Sequence, residues 1–553
     1  MMRSWTRLSS EAMLKIFLAI FLLNILNCDH KVESAFEDLS STCKNQFIFF
    51  NDALLARRDW ALKMFDTWGK FQHSVLDGNV NNFGDYDLCR SFVHESPVTS
   101  IGTVNGEYCL VSYIGAEEDI EPFDINFDWK ELGSLARSQN LYLTTGICLP
   151  KSCTKKDVDE IANIVFSNAN LNVTSVSCES KPYLRFSNRL LAVFIFIGLL
   201  ITVIASTVYE LFMIHRDSEG KFNLIKIYLH RFLRYTPVLL FLVLFFMSFM
   251  QLLGSGPIFE RTLEDWLPNC YNYWWSTLLH IATYTNIDNL CLNWTWYLSA
   301  DFQLFLVSPI LIYPAWRWKW KIFAVAFPIA MLSFLIYIFV VSITYEFLVF
   351  VGPLQSQGQF DYDRLLYYPT HARAGPWIIG MALGFIMYQL KGIKPHINKY
   401  LATFLWVASF SLLTVVVLGY FPFQQADEYF TINKIVNASY NAFYRSGWAL
   451  SLAWIIFACH NGYGGIINWF LSLPQFQPLA RMSLSVYLSH RIFQIISVAT
   501  IRQPIYLSPF NLLHVYFGDV IMSLIVGIAV YLCIEAPFAV LEARLSGDDT
   551  KKN

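Results

Sequence analysis

The chain has 553 residues, of which 55% are hydrophobic, 17% aromatic and only 15% charged, and its mean hydropathy is +0.40. A soluble protein could not bury so much apolar surface, so the composition excludes a soluble enzyme and indicates a protein that crosses a membrane several times. The formal net charge of −2 gives no indication of nucleic-acid binding, and no nucleic-acid partner is expected.

Residues 1–28 have the pattern of a secretory signal peptide. Arg3, Arg7 and Lys15 precede an apolar core at 16–26 that is too short to cross a bilayer comfortably. The cleavage site is weak, so an uncleaved membrane anchor is the alternative. In either case the residues that follow are delivered to the cell exterior or to the lumen of the secretory pathway.

The segment after the signal has the character of a soluble α+β domain. Apolar residues at helical spacing predict helix within 41–71, and strand-like runs occur at 108–114 and 141–147. Thr154, followed three residues later by Asp157, resembles a capping box that opens a further helix.

Cysteines are concentrated in this domain, and an even number in a secreted segment implies disulfide bonds. Six cysteines allow 15 connectivities, among which the sequence does not choose. They are Cys43, Cys89, Cys109, Cys148, Cys153 and Cys178. A zinc site at Cys148 and Cys153 is disfavoured, because no histidine lies at zinc-finger spacing. Further along, Cys270 and Cys291 share one predicted outer loop and could form another disulfide.

From residue 190 onward, long apolar runs alternate with short polar segments. A helix that crosses a bilayer needs roughly 20 mostly apolar residues, and we predict about nine such spans. They are 190–211, 236–253, 296–315, 322–344, 375–390, 400–420, 446–461, 482–500 and 514–534. The predicted fold is a polytopic all-α membrane protein with a disulfide-rich α+β domain at its N-terminal end.

Two independent signals give the same orientation. Loops predicted on the cytoplasmic side are rich in Lys and Arg, as the positive-inside rule requires. The N-glycosylation sequons at Asn172, Asn293 and Asn437 all fall on the predicted outer side. We therefore predict a multi-pass protein of the plasma membrane or endoplasmic reticulum, surrounded by membrane lipids. Its N-terminal domain is extracellular or luminal and its C-terminus is cytoplasmic.

Charged groups within or beside spans are costly and are therefore candidates for function. Arg231 and Arg234 share one helix face at the predicted cytoplasmic edge, where they could hold a phosphorylated ligand or simply contact lipid phosphates. Asp301 lies one to two helical turns below the predicted outer surface. It could orient a hydroxyl or carry a proton, or it could make a structural hydrogen bond to a neighbouring span.

Two further polar positions and one glycine pair remain to be assigned. His490 lies near the middle of its predicted span and could act as a general base, or its ring could be satisfied by carbonyls of a broken helix. Glu535 is predicted to be structural. Gly380 and Gly384 form a small-residue face, which predicts helix packing. The sequence contains none of the familiar hydrolase, nucleotide-binding or metalloprotease motifs, and no metal site is predicted.

Several blocks of the sequence resemble a known family. DGNVNNFGDYDLC at 77–89 and GICLPKSCTKKDV at 146–158 resemble the extracellular domain of nose-resistant-to-fluoxetine proteins, and the membrane part is similar to the acyltransferase-3 family. The membrane blocks lie at 228–237, 292–309, 370–384, 448–459, 478–490 and 534–542. The resemblance divides the chain into a signal peptide (1–28), a cysteine-rich domain (36–180) and a transmembrane domain (190–545).

This resemblance implies transfer of an acyl group, other than an amino-acyl group, from acyl-CoA to a hydroxyl on a lipid or hydrophobic small molecule. Acyl-CoA is then a co-substrate, and no bound cofactor is implied. By resemblance, Arg231 and Arg234 bind the donor, and Asp301 and His490 occupy catalytic positions. Further motif positions are Trp296, Arg373 and Glu535.

One block that the resemblance predicts is missing. The family has two more spans before its Arg-x-x-Arg block, and the first carries an arginine followed eleven positions later by the histidine regarded as the catalytic base. Only about 16 residues, 212–227, lie there, and at ~1.5 Å per residue they cannot form two crossings. Three functions therefore stay open: an acyltransferase in which His490 replaces the base, a carrier or uptake factor for lipids or hydrophobic small molecules, and a non-catalytic binding protein.

Overall fold

The computed structural model describes residues 39–70, 79–99, 101–115, 143–167, 171–178, 224–318, 320–347, 361–393, 395–419, 434–506 and 508–545. The predicted signal peptide and the predicted span 190–211 lie outside these residues. The chain forms two compact units. One consists of Met1–Phe186, Phe249–Asp265 and Gln494–Gly518, and the other of Ser187–Ser248, Trp266–Phe493 and Asp519–Asn553.

The N-terminal part of the first unit combines short helices with a β-sheet, in agreement with the predicted α+β class. In chain order its elements are α1 (Ser41–Leu55), α2 (Asp59–Asp66), β1 (Asn81–Asn82), α3 (Tyr86–Ser91), β2 (Val93–Glu95), β3 (Thr103–Gly115), β4 (Leu143–Pro150), α4 (Lys155–Ser167) and β5 (Leu171–Cys178). The helix predicted within 41–71 is interrupted at Arg57, whose φ of 51° is left-handed and ends the first helical run.

Strand β3 is the centre of the sheet because it pairs on both of its edges. It is antiparallel to β4 on one edge, with Cys109 opposite Ile147, and antiparallel to β2 and β5 on the other. Strand β1 joins β4 in parallel. Helix α1 packs against β4 and α4 packs against β5. Every residue of β4 is buried, including Thr144 and Thr145, so both faces of this strand are covered.

Disulfide bonds connect α1 to the turn after β4, α3 to β4, and β3 to β5. The three bonds are Cys43–Cys153, Cys89–Cys148 and Cys109–Cys178. In the second unit Cys270 is bonded to Cys291, as predicted. The three bonds of the domain join residues 59 to 110 positions apart. Cross-links of this length restrict the unfolded chain strongly, so they stabilise a domain whose sheet is small.

The capping box at the start of α4 is present and extends to a second helix. Asp157 Oδ2 accepts hydrogen bonds from Thr154 N at 2.7 Å and Thr154 Oγ1 at 2.8 Å. Ser40 N and Ser40 Oγ also donate to this carboxylate, both at 2.9 Å. Burial by itself would raise the pKa of Asp157, but these hydrogen bonds outweigh it and lower the pKa. One carboxylate therefore fixes the beginnings of α1 and α4.

The remaining described residues are predominantly helical. The helices are α5 (Leu224–Phe249), α6 (Phe259–Leu278), α7 (Ala282–Thr285), α8 (Trp296–Trp318), α9 (Trp320–Thr344), α10 (Ala374–Gln389), α11 (Lys399–Leu418), α12 (Lys434–His460), α13 (Gly465–Leu471), α14 (Phe476–Ala499), α15 (Pro509–Val530) and α16 (Ala536–Leu545). Two π-helical turns, at Asp363–Tyr367 and Tyr531–Glu535, and a 3₁₀ turn at Thr370–Arg373 precede helices of this set.

Each predicted span that falls within the described residues coincides with a helix. Six helical stretches there are long and apolar enough to cross a membrane: Tyr228–Leu252, Asn293–Ala315, Phe323–Thr344, Lys399–Leu418, Lys434–His460 and Pro509–Val540. Helix α10 has only 16 residues, and polar residues such as Arg481, His490 and Arg491 lower the mean hydropathy of α14, so neither belongs to this set. The protein is thus a membrane protein with several apolar helices, and the count of about nine spans stays a prediction.

The predicted outer loop between the second and third spans contains a long helix, α6. Tyr271 Oη donates to the Met247 carbonyl at 3.0 Å, and His280 Nε2 lies 3.4 Å from Thr236 Oγ1. These two contacts show that the second half of α6 returns antiparallel along α5. Hydropathy did not indicate this helix, because its charged and amide side chains mask the apolar positions.

One prediction made from a short motif is wrong, and one predicted glycosylation site is buried. Gly380 and Gly384 do not mediate packing, since a Cβ at either position would meet no heavy atom of the described residues within 4 Å. The close approaches are instead at Gly375, against Phe334, and at Gly527, against Val486. The sequon residue Asn437 is only 6% exposed and lies within α12, so its side chain is not available to a glycosylating enzyme in the folded protein.

Candidate functional site

Arg231, Tyr235 and Asp301 form a compact cluster where α5 meets α8. Arg231 makes a short ion pair with Asp301 Oδ2, and Tyr235 Oη donates to the same oxygen at 3.3 Å. The guanidinium lies 4.2 Å from the ring centre of Phe305, which adds a cation–π contact. The other carboxylate oxygen, Asp301 Oδ1, has no hydrogen-bond partner among the described residues. One oxygen of Asp301 therefore stays available to a ligand.

The ion pair corrects the depths predicted for these two residues. Arg231 was expected at the cytoplasmic edge and Asp301 near the outer surface, yet a hydrocarbon core of ~30 Å cannot separate two groups in contact. Tyr228 Oη also bonds the Leu306 carbonyl at 3.1 Å, so α5 and α8 run antiparallel with Arg231 and Asp301 at one level. Because α8 continues to Trp318, ~25 Å beyond Asp301, the pair is far from the end of that helix that is predicted to be cytoplasmic.

Asp301 also lines a cavity of about 910 Å³ between α8, α10, α11 and α12. Most of the wall is aliphatic or aromatic, with charge contributed by Asp301, Arg373 and Arg445. A volume of this size, apolar with a few polar groups, is typical of a small-molecule site. Among the predicted site residues, the structure brings Trp296, Asp301 and Arg373 to this cavity, and Arg231 adjoins it through Asp301.

Arg373 is held at the cavity wall by aromatic rings. Its guanidinium lies 4.6 Å from the ring centre of Trp296 and 4.5 Å from that of Tyr367, and its Nε donates to the Tyr367 carbonyl at 2.7 Å. Burial, and next the charge of Arg445, lower the pKa of Arg373 to about 10. The group therefore remains a cation at neutral pH.

Comparison with known proteins matches both parts of the chain. The family pattern described as "Nose resistant-to-fluoxetine protein, N-terminal domain" matches residues 43–162. The pattern described as "Acyltransferase domain" matches residues 190–532, more than half of the chain. The chain belongs to this acyltransferase domain family. No solved structure matches the chain.

One curated relative carries the name of the first of these two family descriptions. "Nose resistant to fluoxetine protein 6" of Caenorhabditis elegans is 27% identical over 295 residues, which are 51% of this chain and 35% of that protein. The match therefore spans about a third of the relative's length. The likeness supports membership of the acyltransferase domain family and carries no substrate with it.

Besides Arg231, three further predicted site residues do not line the cavity. Arg234 is exposed, and Glu535 accepts a hydrogen bond from Ser485 Oγ. Ser485 and Glu535 are both buried, so this contact joins α14 to the end of α15. His490 Nδ1 lies 2.6 Å from the Tyr487 carbonyl of its own helix. The ring thus contacts a carbonyl, but α14 is continuous through His490, so the helix is not broken as that alternative assumed.

Two residues of the acyltransferase domain were missed by the sequence reasoning. Arg445 lines the cavity, but the predicted span began at 446 and so excluded it; a lone arginine at a span boundary was the available signal. His280 is fully buried, and its ring centre lies 4.9 Å from that of Phe302. Burial lowers the pKa of His280 to about 4, so the ring is neutral at pH 7. Its position in an apparent loop gave no signal.

Proposed function

We propose that this protein is a membrane acyltransferase that uses the cavity to hold an acyl chain beside Asp301. The transfer would move an acyl group from acyl-CoA to a hydroxyl of a lipid or hydrophobic small molecule. The observation that carries the proposal is the free Oδ1 of Asp301 at the wall of a large apolar cavity in an acyltransferase domain.

The cluster supplies a chemical role for each group. The acceptor hydroxyl donates to Asp301 Oδ1 while Arg231 and Tyr235 hold Oδ2 in place. Attack of the hydroxyl oxygen forms the ester C–O bond, and the thioester C–S bond breaks. The hydroxyl proton passes to the carboxylate and then to the departing thiolate of CoA. Positioned proton transfer of this kind contributes about 10²–10⁴-fold in rate.

Arg234 is the member of the predicted donor-binding pair that remains free to contact a CoA phosphate. Arg231 is occupied by Asp301, so the two arginines do not act as one clamp in this structure. Arg234 is exposed, and a guanidinium is well suited to bidentate contact with phosphate. Its loss should therefore raise the KM for acyl-CoA more than it lowers kcat.

The test uses the full chain in lipid nanodiscs with radiolabelled acyl-CoA from acetyl to palmitoyl and a total lipid extract. We expect labelled ester and release of the CoA thiol, with kcat/KM reduced about 10²-fold or more by Asp301→Asn. Asp288→Asn is the matched control, since Asp288 is an exposed carboxylate that does not line the cavity. Absence of labelled ester with every donor, from protein that is folded, would refute acyl transfer by this chain.

A carrier for lipids or hydrophobic small molecules is the second candidate. No histidine occurs among the described residues that line the cavity, so a base of the usual kind is not in place there. Under this alternative, vesicles containing the protein take up a labelled fatty acid without any acyl donor, and Gly380→Leu, which fills the cavity, stops uptake. Uptake that requires acyl-CoA would argue against a carrier.

A further inference from the structure

We propose that Arg373 and Arg445 bind the oxyanion head of a single-chain amphiphile whose hydrocarbon chain lies in the cavity. The ligand class is a long-chain carboxylate or phosphate monoester. This inference deepens the proposed function and rests on it only for the use of the cavity. It is tested by equilibrium binding, so its failure is distinguishable from a failure of acyl transfer.

Both arginines have buried N–H donors that no acceptor among the described residues satisfies. Within that part of the chain, Arg445 Nε and Nη2 and Arg373 Nη2 are fully buried and have no hydrogen-bond partner. Arg445 is only 8% exposed, and its Nη1 makes long contacts to the carbonyls of Leu366 at 3.5 Å and Ala372 at 3.4 Å. Buried donors are almost always paired, so three unpaired ones on adjacent arginines indicate an acceptor that binds there.

The aromatic neighbours explain why these donors stay free. Trp296 and Tyr367 lie over the face of Arg373, and Tyr444 lies over Arg445 with 4.9 Å between its ring centre and the guanidinium carbon. A ring over the face of a guanidinium stabilises its charge but accepts no in-plane hydrogen. The planar N–H fork remains open to the paired oxygens of a carboxylate or phosphate.

The charge at this wall is also unbalanced. No ion pair of the described residues includes Arg373 or Arg445, and the charge of Arg445 contributes to lowering the pKa of Arg373. Asp301 lines the same cavity but is paired with Arg231. Asp363 influences Arg373 electrostatically without contacting it. An anionic head would therefore neutralise two cations that no carboxylate of the described ranges contacts.

The rest of the cavity wall suits a hydrocarbon chain. Leu383, Val416, Leu452 and Ile456 supply aliphatic surface, and Trp377 and Trp448 supply aromatic surface. Each methylene that enters such surroundings adds favourable free energy. An amphiphile thus satisfies both parts of the cavity, whereas an inorganic anion would leave the apolar part empty.

The experiment measures binding to the full chain in phosphatidylcholine nanodiscs with three labelled C16 probes: palmitate, palmitoyl-lysophosphatidate and the neutral hexadecanol. We expect wild-type protein to bind at least one anion about tenfold or more tightly than the alcohol. Arg373→Gln and Arg445→Gln should each reduce this ratio about tenfold or more, because a charge-assisted hydrogen bond is lost. Preference for palmitate identifies a carboxylate ligand, and preference for lysophosphatidate identifies a phosphate ligand.

The matched control is Arg364→Gln, because Arg364 is an exposed arginine of the same segment. It should leave the ratio unchanged. Unaltered binding of hexadecanol shows that the cavity of a variant is intact. If Arg445→Gln loses hexadecanol binding through misfolding, Arg373→Gln and Arg445→Lys decide the outcome. Equal binding of all three probes by wild-type protein, or ratios unaltered in these variants, would overturn the inference.

Discussion

At the residue scale, single side chains in this protein connect segments that are distant in sequence. Asp301 joins Arg231 across 70 positions, and Asp157 joins Ser40 across 117. In both cases one carboxylate accepts several hydrogen bonds, which makes its charge favourable where it is partly buried. Neither contact follows from the sequence, because each partner alone has an equally good local explanation. The contact between Thr154 and Asp157 was predicted from the sequence, whereas the contact between Ser40 and Asp157 was not.

We expect the Asp157 contacts to make the N-terminal domain sensitive to acid. Asp157→Asn should destabilise the domain by about 1–3 kcal/mol at pH 7, because charge-assisted hydrogen bonds are lost. In the folded domain the pKa of Asp157 is lowered below its usual value of 3.8. The stabilisation is therefore complete at pH values above 3.8 and disappears as the pH falls through the folded-state pKa. The difference in unfolding free energy between variant and wild type should therefore shrink towards pH 3.

Hydrogen exchange of the amides in α4, measured by mass spectrometry at several pH values and corrected for intrinsic rates, reports this difference. Asp159→Asn is the control, because Asp159 is exposed on the same helix and should leave protection unchanged. Equal protection in wild type and Asp157→Asn at pH 7 would show that the carboxylate contributes nothing.

At the element scale, hydropathy located the apolar helices but not the way they pack. Helices α5, α8, α9, α11, α12 and α15 follow from local composition, since a lipid-facing helix needs only a sufficient apolar run. Helix α6 does not, because it packs along α5 and carries polar residues on its other positions. Glycine spacing was equally uninformative: the motif at Gly380 and Gly384 faces open space, whereas the isolated Gly527 touches a neighbour.

Two alanine substitutions test this reading of the glycines. Gly384→Ala should raise the free energy of unfolding by about 0.5–1 kcal/mol, because alanine restricts the unfolded chain and meets no neighbour. Gly527→Ala should lower it by about 1–3 kcal/mol, because its Cβ would overlap Val486 of α14. Thermal unfolding of both variants in the same detergent provides the comparison. The opposite order of melting temperatures would mean that Gly384 is the packing position.

At the scale of the whole molecule, the chain combines a disulfide-bonded domain with an acyltransferase domain that crosses a membrane. Disulfides persist in the exterior and in the secretory pathway, so a domain with three of them is consistent with a secretory-pathway membrane. The distribution of basic loops predicts that the C-terminus lies on the opposite, cytoplasmic side.

Glycosylation tests this orientation together with the burial of the sequons. Asn172 is exposed on β5, whereas Asn437 is buried in α12. Expressed in a eukaryotic cell, the chain should carry a glycan that Asn172→Gln removes and Asn437→Gln does not, because glycan transfer occurs in the lumen at accessible sites. Electrophoresis before and after glycosidase treatment gives the result. A chain without any glycan at Asn172 would contradict a luminal N-terminal domain.

The sequence by itself determined the class of this protein: apolar helices in a membrane, a cysteine-rich α+β domain and the acyltransferase resemblance. These properties are local, because hydropathy, cysteine content and motif order are set by neighbouring residues. Only the tertiary structure decided the disulfide pairing, the shared depth of Arg231 and Asp301, and the cavity at which Arg373 meets Arg445. Each of these depends on which distant segments pack together, and packing is a property of the whole chain that no local pattern encodes.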